Sequence, residues 1–171
     1  MIPSKLKLLI SSLLALLAGT GIYFSQQTKV ASDCYKITYF YDGDTIKLDI
    51  GGKEEKIRLL GIDTPEMNFD SSKKPDCYAQ EATDKIKKII NNSCVKIKRD
   101  SLAGDKDKYG RLLRYIYLPD NTFVNLEMVK QGYAFNYIYS DNEFKKEFTQ
   151  AEEQAKGQRL GLWGKNCNYF K

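Results

Sequence analysis

Thr45-Ile46-Lys47-Leu48-Asp49-Ile50-Gly51-Gly52-Lys53-Glu54-Glu55-Lys56-Ile57-Arg58-Leu59-Leu60 reads as two strands around a tight turn. Thr45 to Ile50 alternates, with Ile46, Leu48 and Ile50 on one face, the pattern of a half-buried strand. Gly51-Gly52 suits a two-residue hairpin turn, and Glu55 to Leu60 returns as a strand. Just upstream, Tyr35 to Tyr41 is aromatic and β-branched, and Asp42-Gly43 turns it into the quoted stretch. Three short strands in a meander predict a small barrel or curled sheet.

Downstream, Gly61 to Asp76 is a loop containing Pro65 and Pro75. Tyr78 to Asn91 carries Ala79, Ala82, Ile86, Ile89 and Ile90 at helical spacing. Val95 to Arg99 and Arg111 to Leu118 read as strands, separated by a polar loop. Val124 to Gln131 is a short helix that Gly132 stops. Ser140-Asp141-Asn142-Glu143 has capping-box form and predicts the start of a last helix, with Phe144, Phe148, Ala151 and Ala155 as its buried stripe. Leu162 and Trp163 fasten its end to the body. This order predicts an α+β fold, a five-stranded OB-type β-barrel with three α-helices.

The chain has 171 residues, a net charge of +5 and no histidine. The positive balance mildly favours a polyanionic partner. The missing histidine excludes a Ser-His-Asp triad, a histidine base and a His-ligated zinc site. Lys5 and Lys7 precede an apolar run over residues 8–24. Residues 1–32 are therefore expected to be a signal peptide or N-terminal membrane anchor plus a short linker, and residues 33–171 the folded domain. That domain is expected to be secreted, or held outside the cytoplasm by the anchor. Cys34, Cys77, Cys94 and Cys167 form an even set without a C-x-x-C spacing. In an oxidising compartment they predict two disulfides, with three connectivities open.

The charged residues fall in three places: Asp42-Gly43-Asp44-Thr45, Arg58 to Glu66, and Asp107-Lys108-Tyr109-Gly110-Arg111. Converging carboxylates of Asp44 and Asp63 suit a hard cation. Arg58 and Arg111 can grip a phosphate with paired hydrogen bonds. Glu66, behind the stiff Thr64-Pro65 turn, is the best available general base.

Together Arg58-Leu59-Leu60-Gly61-Ile62-Asp63-Thr64-Pro65-Glu66, Asp107 to Arg111, and the terminal set Ala151, Gln154, Gly157, Leu160 and Trp163 resemble the staphylococcal nuclease (thermonuclease) family. The resemblance runs from about Tyr39 to Trp163 and implies the same OB barrel with three helices. It implies Ca²⁺ held by Asp44, Asp63 and the Thr64 carbonyl. It implies Arg58, Glu66 and Arg111 as the catalytic set. Lys108 and Tyr109 match residues on a terminal phosphate, and Tyr137 and Tyr139 match aromatics beside a base. The implied reaction is hydrolysis of DNA and RNA at the P–O5′ bond, with unpaired strands preferred and the protein acting as a monomer. The competing expectation is an OB-fold module that binds nucleic acid without cutting it. It has no use for Glu66 and both arginines together.

Overall fold

The computed structural model describes residues 34–70, 72–167 and 169. The expected N-terminal targeting segment and linker lie outside them. Among the described residues no helix is long and apolar enough to cross a membrane.

The first three strands form where the sequence pattern predicts them, while a short strand at Ile62–Asp63 falls in the expected loop and another at Phe135–Asn136 lies where no strand is expected. β1 (Lys36–Phe40) pairs antiparallel with β2 (Thr45–Ile50), and β2 with β3 (Lys53–Leu59). Ile46, Leu48, Ile57 and Leu59 are fully buried, while their neighbours Lys47 and Asp49 are not. Gly51 and Gly52 take φ of 65° and 85° in the two-residue turn between them, a conformation that costs other residues strain.

β4 (Ile62–Asp63) follows at once, and then α1 (Ala79–Ile90), β5 (Lys96–Lys98), β6 (Leu112–Tyr117), α2 (Val124–Lys130), β7 (Phe135–Asn136) and α3 (Lys145–Gly157). A 3-10 turn at Gly161–Trp163 closes the order. β3 runs parallel to β6, which pairs antiparallel with β5, so the five-stranded order is β1-β2-β3-β6-β5. Tyr35 and Val95 exchange two main-chain hydrogen bonds of 2.7 and 2.8 Å, and this bridge joins the two outer strands. Cys34 and Cys94, one residue before each bridge partner, are disulfide-bonded with Cα atoms 5.3 Å apart. Five strands and three helices in this order are the expected OB-type arrangement. The second disulfide is Cys77–Cys167, and together the two select one of the three connectivities.

One side of the sheet packs against Ile86, Ile90, Met128, Val129 and Phe148 from the helices, all essentially without exposure. Each such side chain contributes roughly 1.5–3 kcal/mol. Asn125 fastens α2 to the sheet: its Nδ2 donates to Leu60 O at 2.9 Å, and its Oδ1 accepts from Ile116 N at 2.9 Å.

The capping box is a correction. α3 begins at Lys145 after Phe144, with no side-chain cap. Glu143 instead accepts from Lys98 at 2.9 Å and from Ser101 N at 2.8 Å, and Asp141 pairs with Lys145. Asp100, bonded to the Tyr115 hydroxyl, accepts Glu143 N at 2.7 Å. Tertiary partners for Glu143 outcompete the local cap.

Gly61 joins β3 to β4 with φ of 75°, and a Cβ there would lie 2.3 Å from the Phe148 ring. Gly61→Ala should therefore lose about 3 kcal/mol, from the left-handed backbone and from overpacking. Urea unfolding with circular dichroism reads this.

Candidate active site

The turn before β2 places Asp44. Asp42 Oδ1 accepts Asp44 N at 3.0 Å, and Leu59 N donates to Asp44 O at 2.8 Å. The turn lies so close to Thr64 that a Cβ on Gly43 would sit 2.8 Å from the threonine methyl. Asp44 is consequently almost fully buried. Its Oδ2 accepts from Thr64 N at 2.8 Å and from Thr64 Oγ1 at 3.0 Å; its Oδ1 accepts from Thr45 Oγ1 at 2.9 Å.

Arg58, next to last in β3, faces the same carboxylate, with Nε 3.2 Å from Asp44 Oδ1. Its Nη1 donates to Leu59 O at 2.8 Å and Ile62 O at 2.7 Å, and its Nη2 to Asp63 Oδ1 at 2.7 Å. Four of its five N–H donors are thus engaged. Asp63 owes its place to the β4–β7 ribbon, where it pairs with Phe135.

Arg111 is held differently. Asp107 Oδ1 accepts the main-chain N–H groups of Tyr109 and Arg111, which folds the 107–111 turn and turns Tyr109 outward at 72% exposure. Asp107 Oδ2 takes Arg111 Nε at 2.6 Å. Beyond that, the Arg111 guanidinium has only a long bond of 3.4 Å to Thr45 Oγ1 among the described residues. Most of its donors remain for a ligand.

These groups meet in one cleft of about 550 Å³, lined by Arg58, Asp63, Glu66, Lys108, Tyr109, Arg111 and Tyr137. Asp44 and Thr64 are not among its lining residues; both are buried and tied to it through Arg58 and the Asp44–Thr64 bonds. Tyr139 departs from the expected set. It is 83% exposed and lines a neighbouring groove instead, although its ring is 5.4 Å from that of Tyr137. Two residues gain roles that the sequence had left unassigned: Asp107, which aims Arg111, and Asp42, which shapes the Asp44 turn. The Asp-x-x-x-Arg spacing across a glycine turn was the available signal for the first.

The carboxylates repel one another. Burial and the Asp44 charge push Asp42 up from 3.8 to about 7. Asp63 is raised by burial and by Asp44, against the pull of Arg58. Glu66 is raised by burial, then by Asp44 and Asp63. Among the described residues no three histidine, cysteine or acidic side chains close on a single point as a metal cage. The donor chemistry nevertheless fits a hard cation: two carboxylates and a main-chain carbonyl, in surroundings where negative charge is in excess.

A sequence profile described as "Staphylococcal nuclease homologue" matches residues 56–165. The chain belongs to the staphylococcal nuclease family. It is 34% identical over 150 residues to a protein named Thermonuclease from Staphylococcus intermedius, covering 85% of this chain and 84% of that one. It is 34% identical to the Thermonuclease of Staphylococcus hyicus, covering 75% of each chain. It is also 36% identical to Endonuclease YncB of Bacillus subtilis, covering 73% of this chain and 59% of that protein. Family membership accounts for the five-stranded sheet, and of the charged residues that the resemblance implied, Arg58, Asp63, Glu66, Lys108 and Arg111 line the cleft while Asp44 is buried behind it.

The raised Asp42 has a consequence for stability. Between pH 4 and about 7 the folded state keeps a proton that the unfolded state has released, so stability falls as pH rises through that window. Asp42→Asn keeps the Oδ1 acceptor and removes the charge. In chelator at pH 8 it should be more stable than the parent by about 2 kcal/mol, a gap that closes towards pH 3. Denaturation curves across that range read the difference.

Proposed function

We propose that this protein is a calcium-dependent nuclease acting outside the cytoplasm. It hydrolyses phosphodiester bonds of DNA and RNA with little sequence preference, breaking the P–O5′ bond. The observation that carries this is the cleft itself, where the largely free Arg111 guanidinium, Arg58 and the Glu66 carboxylate line one space. The thermonuclease and endonuclease relatives support the reaction class. The two disulfides and the charged, apolar N-terminal sequence support the location.

The residues act as follows. Arg111 binds a non-bridging phosphate oxygen, with its fork held open by Asp107. Arg58 adds its remaining donor and fixes Asp63 and Asp44. Charge gathering on the equatorial oxygens is met by these fixed cations, so they stabilise the transition state more than the ground state. Glu66, with its proton affinity raised by burial and by its acidic neighbours, takes a proton from the attacking water. The water oxygen bonds to phosphorus as the P–O5′ bond breaks, and the departing 5′ oxygen is protonated from solvent. Ca²⁺ held by Asp44, Asp63 and the Thr64 carbonyl would polarise the phosphate. Tyr109 and Tyr137 offer π-faces on which any base can stack, which explains weak base discrimination. Opening a duplex to reach those faces requires unstacking, so unpaired strands are preferred.

The test is cleavage of single-stranded DNA with Ca²⁺ and then with excess chelator. Cutting should occur only with the cation. Glu66→Gln should lower kcat by roughly 10³-fold while oligonucleotide binding persists. Binding without any cleavage, in the parent and in Glu66→Gln alike, would point to a binding module. In a second variant, Arg111→Lys loses the planar fork and should lower kcat about 10²-fold, read in single-turnover assays.

A further inference from the structure

A second groove, of about 540 Å³, lies beside the cleft and shares Asp63 and Tyr137 with it. Its other walls are largely aromatic: Phe135, Tyr139, Trp163 and Tyr169. The Phe135 ring is 5.3 Å from that of Trp163 and 5.2 Å from that of Tyr169, edge-on in both cases. Lys156 is the single basic side chain lining the groove, and it is already bonded to Glu152 at 2.8 Å. Lys156 also lies 4.4 Å over the Trp163 ring, and Asp63 and Glu152 make the rest of the charged lining acidic. What this surface offers a nucleotide is π-face, that of the exposed Tyr139 above all, and among the described residues no free cation.

Tyr169 reaches the groove by a route separate from the nuclease core. Cys167 is bonded to Cys77, and the Tyr169 hydroxyl donates to Cys77 O at 2.9 Å. These contacts seat its ring against Phe135, on the ribbon that also carries Asp63.

We propose that this groove is a second nucleotide subsite, which stacks a base of the strand adjoining the scissile phosphate. The Cys77–Cys167 disulfide assembles it by holding Tyr169 in place. The proposal rests on the nuclease reading of the neighbouring cleft. A polymer with one phosphate at Arg111 continues along one wall or another. The wall that passes Tyr137 and Tyr139 leads directly onto this aromatic floor. Stacking tolerates every base, in keeping with low specificity.

The test uses the Glu66→Gln protein, which holds substrate without cutting it, and Trp163, the only tryptophan, as a fluorescent reporter in the groove. Octathymidylate is titrated and Trp163 emission is followed, with dithymidylate as the short reference. Adding Tyr169→Ala should weaken the octamer roughly tenfold relative to the dimer. The salt dependence should not change, because no phosphate contact is lost. Tyr169→Phe keeps the ring and the Cys167 tether, loses only the hydroxyl bond, and should recover most of the octamer affinity. Cys77→Ser with Cys167→Ser reproduces the tenfold loss, and melting curves of every variant confirm that each is folded at the assay temperature. Octamer affinity within twofold of the parent in a folded Tyr169→Ala protein would overturn the subsite, as would Trp163 emission unchanged at saturation. If the Glu66 protein cuts DNA while the Tyr169 variants bind normally, only the subsite fails. If that protein neither cuts nor binds the octamer, the nuclease reading fails and the subsite with it.

Discussion

Arg58 stands between two carboxylates that repel each other. Nε faces Asp44, Nη2 bonds Asp63, and both Nη1 donors close onto main-chain carbonyls at the end of β3 and in β4. The carbonyl bonds fix the guanidinium plane, and that plane sets where the two acids lie. Removing a charge from such a buried pair leaves its partner uncompensated, which is far costlier than losing a surface pair. Asp42 and Glu66 add two more negative groups, both raised partly by Asp44. Folding supplies Arg58 as the inner cation and Arg111 as the outer one. The surplus negative charge makes the same region receptive to a further cation, and Arg111 still has donors to spare for an anion.

The division of labour between the arginines follows from topology. The parallel pairing of β3 with β6 brings Arg58 opposite Leu113, so that the turn leading into β6 lies across from the end of β3. Asp107 folds that turn and draws Arg111 back over it. One arginine is thereby buried in main-chain contacts and serves chiefly to hold the acids. The other is tethered chiefly through Nε, with one long Nη1 bond to Thr45, and left open.

The sheet was legible because its signals are local. Alternation over Thr45 to Ile50 and the Gly51-Gly52 turn fix register without help from distant residues, and helical spacing of Ala79, Ala82, Ile86 and Ile90 does the same for α1. The start of α3 was misread because a capping box is also local, whereas Lys98, Ser101 and Asp100 come from elsewhere in the chain. The charged site residues were legible as a set through their resemblance to a family. Their geometry was not. Nothing in a linear motif says that Arg58 is nearly saturated while Arg111 is open. Nor does it say that Tyr139 turns away from Tyr137's cleft onto the adjoining groove. The disulfide pairing was equally hidden, since spacing alone leaves three choices.

The two disulfides act on the parts of this fold that hydrogen bonding leaves weakest. Among the described residues a single residue pair, Tyr35 with Val95, joins the β1 and β5 ends, and Cys34–Cys94 sits directly beside it. That bridge closes a chain separation of 60 residues, for which loop entropy alone gives about 4 kcal/mol. The loop carrying Glu66 has the opposite problem: it lies outside the sheet and needs an external anchor. Asp76 provides one, donating its N–H to Glu66 O at 2.9 Å and accepting Glu66 N at 3.2 Å. Asp76 adjoins Cys77, whose bridge to Cys167 ties it to the C-terminal end of the domain. The covalent link that seats Tyr169 thus also steadies the backbone at Glu66. A change at Cys77 is therefore felt in the Glu66 loop and in the aromatic groove together, through two separate sets of contacts.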